Sequence, residues 1–236
     1  MTIPVLIFAR MDSERLPGKA LTPVSGRPLL ARVIDRVKRS AAGRPIVVCT
    51  SKRAADDPIA ALAKREGVGI MRGATADVLG RALACAGEKG FDHVVRISGD
   101  SPFIDPALID RMIAIHRDEK PDLTTNVAPR TYPPGASVEV IAVAALRRAA
   151  AETDDAGDRE HVTRYLYAHP AAFSIRNERA PAGRYDGVSL TVDTPADMAR
   201  AIWIAERMPA EGDLDRAVAL AREYLKMGES REGNDR

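Results

Sequence analysis

Cysteine is nearly absent from this chain of 236 residues: only Cys49 and Cys85 occur, with no CxxC pair and no metal-ligand spacing. That excludes a disulfide framework, and both thiols are expected as small buried or half-buried groups of a reduced, cytoplasmic protein. Aromatic residues are scarce at 4%, too few for a base-stacking surface. Charge of one sign is missing as well. The formal net charge is +2, which makes no electrostatic case for nucleic acid. No run approaches the roughly 18 apolar residues of a transmembrane helix. The opening segment from Met1 to Arg10 has no basic n-region, and its apolar run is too short for a signal peptide. No internal repeat, low-complexity tract or long linker appears. One domain over residues 1–227 is expected, followed by a flexible tail over 228–236, which is charged and apolar-free.

What is present is an ordinary globular mixture, 45% hydrophobic and 29% charged, long enough for a large core. Short β-branched runs alternate with longer amphipathic ones, the rhythm of a mostly parallel sheet with helices on both faces. Strands are predicted over 4–9, 46–49, 68–71 and 93–97. Helices are predicted over 28–39, 58–66, 76–88 and 106–116, the last with Pro106 in its first turn. After Pro121 the rhythm breaks. Strands are predicted over 122–127, 138–141, 173–176 and 188–192, and helices over 144–151, 159–168, 195–207 and 214–226.

The loop from Ala9 to Lys19 follows the first strand, where an open α/β sheet binds its ligands. It carries Arg10, Arg15 and Lys19, the Ser13 hydroxyl, and Gly18, which lets backbone approach a ligand. Cations and amides on one loop suit a triphosphate whose charge grows as pyrophosphate leaves. A Walker A loop is excluded, because Ser13 stands where it needs glycine and Ala20 where it needs Ser or Thr. A dinucleotide loop is excluded by the lack of G-x-G-x-x-G. For the loop taken alone, a solvated basic turn stays open. Asp100, after Arg96-Ile-Ser-Gly, and Asp193, before Thr194-Pro195, each end a predicted strand. Carboxylates at neighbouring strand ends could hold Mg²⁺, which favours one or two carboxylates plus phosphate oxygens and water. The plainer alternatives are that Asp193 caps a helix and that Asp100 is a turn residue.

The segment A-R-x-x-S-x-R-L-P-G-K-x-L resembles the opening signature of the CMP-sugar synthetases, the cytidylyltransferases of sialic acid and Kdo. The resemblance implies a Rossmann-like, GT-A-like nucleotidyltransferase fold, and magnesium on Asp100 and Asp193, which match the family's G-D-x-P and V-D-T-P-x-D contexts. Further blocks are similar to the branch typified by spore coat polysaccharide biosynthesis protein F: Tyr132-Pro-Pro-Gly-Ala-Ser-Val-Glu139, Arg159-Glu-His-Val-Thr163 and Thr191-Val-Asp-Thr-Pro195. The likeness runs from Ile3 to about Leu225. Ser101 stands in place of that branch's usual cysteine, and Ala196 in place of an acidic residue. The H-x-S-G-T-D-R block of the Kdo enzymes is replaced by Arg72 to Arg81, so their cytosine-reading residues do not carry over.

The activity so implied is transfer of CMP from CTP to a sugar acid with release of pyrophosphate, for surface polysaccharide. Arg15, Lys19 and Asp100 are the candidate catalytic residues, with Arg10, Ser13, Gly18, Thr50, Ser51 and Arg81 on the nucleotide. Glu139, Arg159, Glu160, His161 and Arg176 are the candidates for the sugar; for His161 by itself a structural role is the alternative. The excursion from Pro121 to Arg176 is where related enzymes pair, so a homodimer is expected, with no nucleic acid or membrane partner. A GT-A-like glycosyltransferase and a non-catalytic nucleotide-binding module are the alternatives. No D-x-D motif supports the first, and Lys19, Asp100 and Asp193 together argue against the second.

Overall fold

A computed structural model of the chain describes residues 2–232. In chain order the elements are β1 (Ile3–Phe8), a hairpin of β2 (Pro23–Val24) and β3 (Arg27–Pro28), α1 (Leu29–Lys38), β4 (Gly43–Ser51), α2 (Asp57–Arg65), β5 (Gly69–Gly73), α3 (Val78–Lys89), β6 (His93–Ser98) and α4 (Pro106–Glu119). Then come β7 (Leu123–Thr125), β8 (Glu139–Ala142), α5 (Val143–Glu152), α6 (Ala156–Glu160), α7 (Arg164–Ala168), β9 (Ile175–Asn177), α8 (Pro195–Arg207) and α9 (Leu214–Glu232). The described residues form a seven-stranded sheet of order β5-β4-β1-β6-β8-β7-β9. All its pairings are parallel except the two made by β8, which runs against β6 and β7. This is the mostly parallel, Rossmann-like α/β sheet expected from the sequence.

Central strands buried on both faces read as continuous apolar runs, and β1 (IPVLIF) is one. Its alternate side chains divide between two cores. Ile3, Val5 and Ile7 pack with α1, α2, α4, α8 and α9, while Leu6 packs with α3, α5 and α7. Helix starts are chemically marked: Asp77 caps α3, Asp105 caps α4 ahead of Pro106, and Thr194 with Asp197 forms a capping box on α8. After β1 the chain winds outward through β4 to β5, then crosses back to place β6 on β1's other side. The carboxyl ends of β1 and β6 therefore flank the point where the winding reverses, where ligands bind in such sheets.

Several expectations are corrected. Residues 188–192 are extended but form no strand: Leu190 N–H donates to Pro134 O and Val192 N–H to Asp100 O, both in loops. The helix expected over 159–168 breaks at His161, because burying Val162 and Thr163 takes the chain out of helical register. The strand expected over 122–127 shortens to β7. Helix α9 continues past Lys226 to Glu232, and residues 233–236 of the expected tail lie outside the described residues. No helix among the described residues is long and apolar enough to cross a membrane.

Candidate active site

A cavity of about 550 Å³ opens at the carboxyl ends of β1 and β6. Gly99 lets the two strand ends close on each other: its N–H donates to Phe8 O at 2.8 Å, and a Cβ there would lie 2.8 Å from that same oxygen. The loop after β1 is folded by backbone and buried carboxylate. Gly18, at φ +77°, donates its N–H to Met11 O at 2.8 Å. Met11 N–H donates to Asp56 Oδ1 at 2.7 Å, and the Ser51 hydroxyl donates to Asp56 Oδ2.

At the cavity's base the Lys19 ammonium donates to Asp100 Oδ2 at 3.0 Å, Asp193 Oδ1 at 2.8 Å and Val192 O at 2.7 Å. Arg15 reaches the other Asp193 oxygen at 3.1 Å while its side chain stays 65% exposed. The two aspartates meet because Val192 N–H docks on Asp100 O, which brings the chain before α8 against the end of β6. The caps on α4 and α8 are Asp105 and Thr194, so Asp193 does not fill the capping role that was its plainer alternative, while Asp100 does stand in a turn, with its carboxylate on Lys19.

Of the residues singled out in the sequence, Arg10, Ser13, Arg15, Lys19, Arg81, Asp100, Glu160, His161 and Asp193 line the cavity. Arg10 donates to Glu160 Oε1 at 3.1 Å and so ties the loop to the end of α6. Arg81 is buried, which pushes its pKa down; its Nη2 holds Ala74 O and Thr75 O, and its Nε has no partner.

Others lie behind or away from the cavity. Thr50 is fully buried in β4 with its hydroxyl unpaired, and Ser51 is spent on Asp56, so neither side chain lines the cavity. Gly18 shapes the loop without lining the cavity. Glu139 is also buried. Its Oε1 accepts from Thr163 Oγ1 at 2.8 Å and Tyr167 Oη at 2.6 Å, and its Oε2 takes the Arg96 guanidinium. Burial pushes the Glu139 carboxyl up, but Arg96 and the two hydroxyls outweigh it, leaving it below the ordinary glutamate range. Burial and Glu139 together push the Tyr167 phenol well up.

Arg159 does not line the cavity. It ties its own helix to α5 and α3 through Ala150 O at 3.0 Å, Asp154 at 3.3 Å and Asp77 at 3.9 Å. Arg176, on the edge strand β9, pairs with Glu119 at 2.9 Å and Glu178 at 3.5 Å, away from the cavity. The residue the sequence reading missed is Arg96, which lines the cavity from β6. Only its Nη1 is hydrogen-bonded among the described residues. Its signal was a charged residue inside an apolar strand, opposite a glutamate at the start of another. Glu14 also lines the cavity and was not singled out.

Comparison with known proteins bears on this geometry. A family model described as cytidylyltransferase matches residues 4–206. The chain is 34% identical over 197 residues to spore coat polysaccharide biosynthesis protein SpsF of Bacillus subtilis, covering 81% of each. It is 31% identical to a 3-deoxy-manno-octulosonate cytidylyltransferase of a Methylobacterium species, covering 86% of this chain and 98% of that one. Among solved structures, a cytidylyltransferase from Leptospira borgpetersenii superposes with a TM-score of 0.88 at 27% identity, covering 96% of each chain.

Proposed function

Because this chain belongs to the cytidylyltransferase family, we propose that it transfers CMP from CTP to a hydroxyl of a nonulosonic or Kdo-like sugar acid, with release of pyrophosphate, in surface polysaccharide biosynthesis. The observation that carries the reading is the meeting of Lys19, Arg15, Asp100 and Asp193 at one point of one cavity. In the step, the acceptor oxygen bonds to the α-phosphorus as the bond to the bridging oxygen of pyrophosphate breaks. Such transfers rest on positioning and charge stabilisation. Arg10, Arg15 and Lys19 are the cations available to the phosphates, and Arg81 with Val78 walls the side of the cavity toward β4 and α3, which suits the nucleoside.

The donor set fits magnesium. Asp100 and Asp193 already direct oxygens at one cation, the Lys19 ammonium. Among the described residues no group of three or more His, Cys, Asp or Glu forms a cage, so triphosphate and water would supply the other ligands. When bound, the ion neutralises the triphosphate and polarises the α-phosphorus.

The acceptor side is assigned to Glu160, His161 and Arg96. With Arg159 and Arg176 engaged elsewhere, Arg96 is the cation whose free Nε and Nη2 suit the acid's carboxylate. Among the ionisable cavity residues, only Glu14 and His161 have side chains without a hydrogen bond or ion pair, so they are the groups free to take the acceptor's proton. A homodimer formed through the β7–β9 region and a cytoplasmic location, where CTP is made, complete the proposal. Light scattering that gives a 25.4 kDa particle at micromolar concentration contradicts the dimer.

The test is pyrophosphate release with CTP, ATP, GTP or UTP against Kdo and N-acetylneuraminate. Release confined to CTP and an acid supports the reading. Release of nucleoside diphosphate from a nucleotide sugar would instead make the chain a glycosyltransferase.

A further inference from the structure

Lys19 is fully engaged. Its three ammonium hydrogens meet three oxygens, Asp100 Oδ2 at 3.0 Å, Asp193 Oδ1 at 2.8 Å and Val192 O at 2.7 Å, and the residue is 9% exposed. Arg15 takes the second Asp193 oxygen. Three of the four carboxylate oxygens that suit a divalent cation are thus held by these two side chains, and the fourth, Asp100 Oδ1, accepts from the Ser101 hydroxyl at 3.3 Å. Magnesium or manganese binds carboxylate oxygen at about 2.0–2.2 Å. An ammonium on the same oxygens would sit only about 4 Å from a doubly charged ion, a like-charge contact in a poorly solvated place. Each cation therefore weakens the other's hold on this pair of carboxylates. A triphosphate changes the balance, because it offers the ammonium new acceptors of strong negative charge. The lysine's flexible four-carbon stem lets the ammonium move while its Cα stays in the 3-10 turn over Lys19–Leu21.

We propose that Lys19 is an internal competitor for the metal and couples metal entry to nucleotide binding. The chain alone holds a divalent cation weakly. CTP draws the ammonium onto its phosphates and frees Asp100 and Asp193 for the ion. By linkage, the metal raises the affinity for nucleotide by the same factor. Lys19 is then a positioning residue for the metal as well as a contact of the phosphates. The inference rests on the nucleotidyltransferase reading only for what moves the lysine; the competition itself needs no nucleotide.

Mn²⁺ alone is the probe, measured by electron paramagnetic resonance as the fraction of ion bound to the chain without nucleotide or acceptor. Lys19→Met removes the charge at similar length, and Lys19→Gln is a second neutral variant should the first not fold. The expected result is Mn²⁺ binding at least about tenfold tighter in either variant than in the wild type, about 1.4 kcal/mol. That gain is expected to vanish when Asp100→Asn is added. Equal affinity in wild type and variants overturns the proposal, as does a gain that survives Asp100→Asn. A wrong base or acceptor would show in the pyrophosphate assay and leave this measurement untouched.

Discussion

Replacing Glu139 with glutamine separates a residue that touches the acceptor from one that holds another residue in place. The side chain is buried, and its two oxygens have different duties: Oε1 accepts from Thr163 and Tyr167, Oε2 takes Arg96. Glutamine keeps a carbonyl for the two hydroxyls and puts an N–H₂ donor against the guanidinium. Only the Arg96 contact is broken, and the charge goes with it. Breaking a buried pair costs about 3–5 kcal/mol, and a lone charge-assisted hydrogen bond about 1.5–3. Because the Arg96 side chain is 31% exposed, water recovers part of the loss. The expected destabilisation is therefore about 2–3 kcal/mol, which lowers Tm by about 4–12 °C in a chain of this size. Thermal unfolding and acceptor kinetics are measured on the same preparation. The expected outcome is a lowered Tm together with a modest rise in acceptor KM, as Arg96 loses its fixed aim into the cavity. An unchanged Tm with a large rise in acceptor KM would refute the reasoning, since it would place the carboxylate on the substrate.

Asp100→Ala and Lys19→Ala are each expected to lower turnover by at least about a hundredfold with the fold intact by circular dichroism, since each removes charge stabilisation from the transferring group; near-normal turnover of folded Asp100→Ala contradicts the metal assignment. Arg159→Ala is expected to lower stability and leave both KM values in place, because the side chain ties helices together; Arg96→Ala is expected to raise the acceptor KM well above any change for CTP. His116 is buried between His93 and Thr124, and burial first, then the neighbouring His93, pushes its pKa down from 6.5 to about 4. The folded state therefore favours the neutral ring, and the unfolded chain binds the extra proton. Stability is fully present above pH 6.5 and falls as pH drops from there toward 4, by at most about 3 kcal/mol from this residue. Urea unfolding from pH 7 to 4.5 is expected to show a flatter slope in His116→Gln than in the wild type.

The side of the cavity proposed for the phosphates was legible in the sequence as a cluster because it is local. Arg10, Ser13, Arg15 and Lys19 share one loop, and Asp100 and Asp193 each stand where a predicted strand ends. The side proposed for the acceptor was not, because it depends on long-range packing. Nothing local separates Arg159, turned back onto α5, from Arg96, directed into the cavity; what decides it is the antiparallel placement of β8, which sets Glu139 opposite Arg96. Thr163, the last residue of the Arg159-Glu-His-Val-Thr163 block, is set by the fold against Glu139. The extended segment over 188–192 has the composition of a strand, but its partners are loop carbonyls, which no periodicity announces. Thr50 and Ser51 were placed correctly at the end of β4, yet their side chains are taken up by the interior.

The proposed transfer of CMP from CTP to an acid acceptor is followed at the α-phosphorus itself. CTP labelled with ³²P at the α position is incubated with the protein, Mg²⁺ and each sugar acid, and the products are separated by anion exchange. Label is expected to leave CTP and appear in a phosphodiester of CMP and the acid, with one pyrophosphate released for each product formed, and only when metal and acceptor are both present. Label that stays in CTP with every acceptor, or that appears as free CMP regardless of the acceptor, would contradict it.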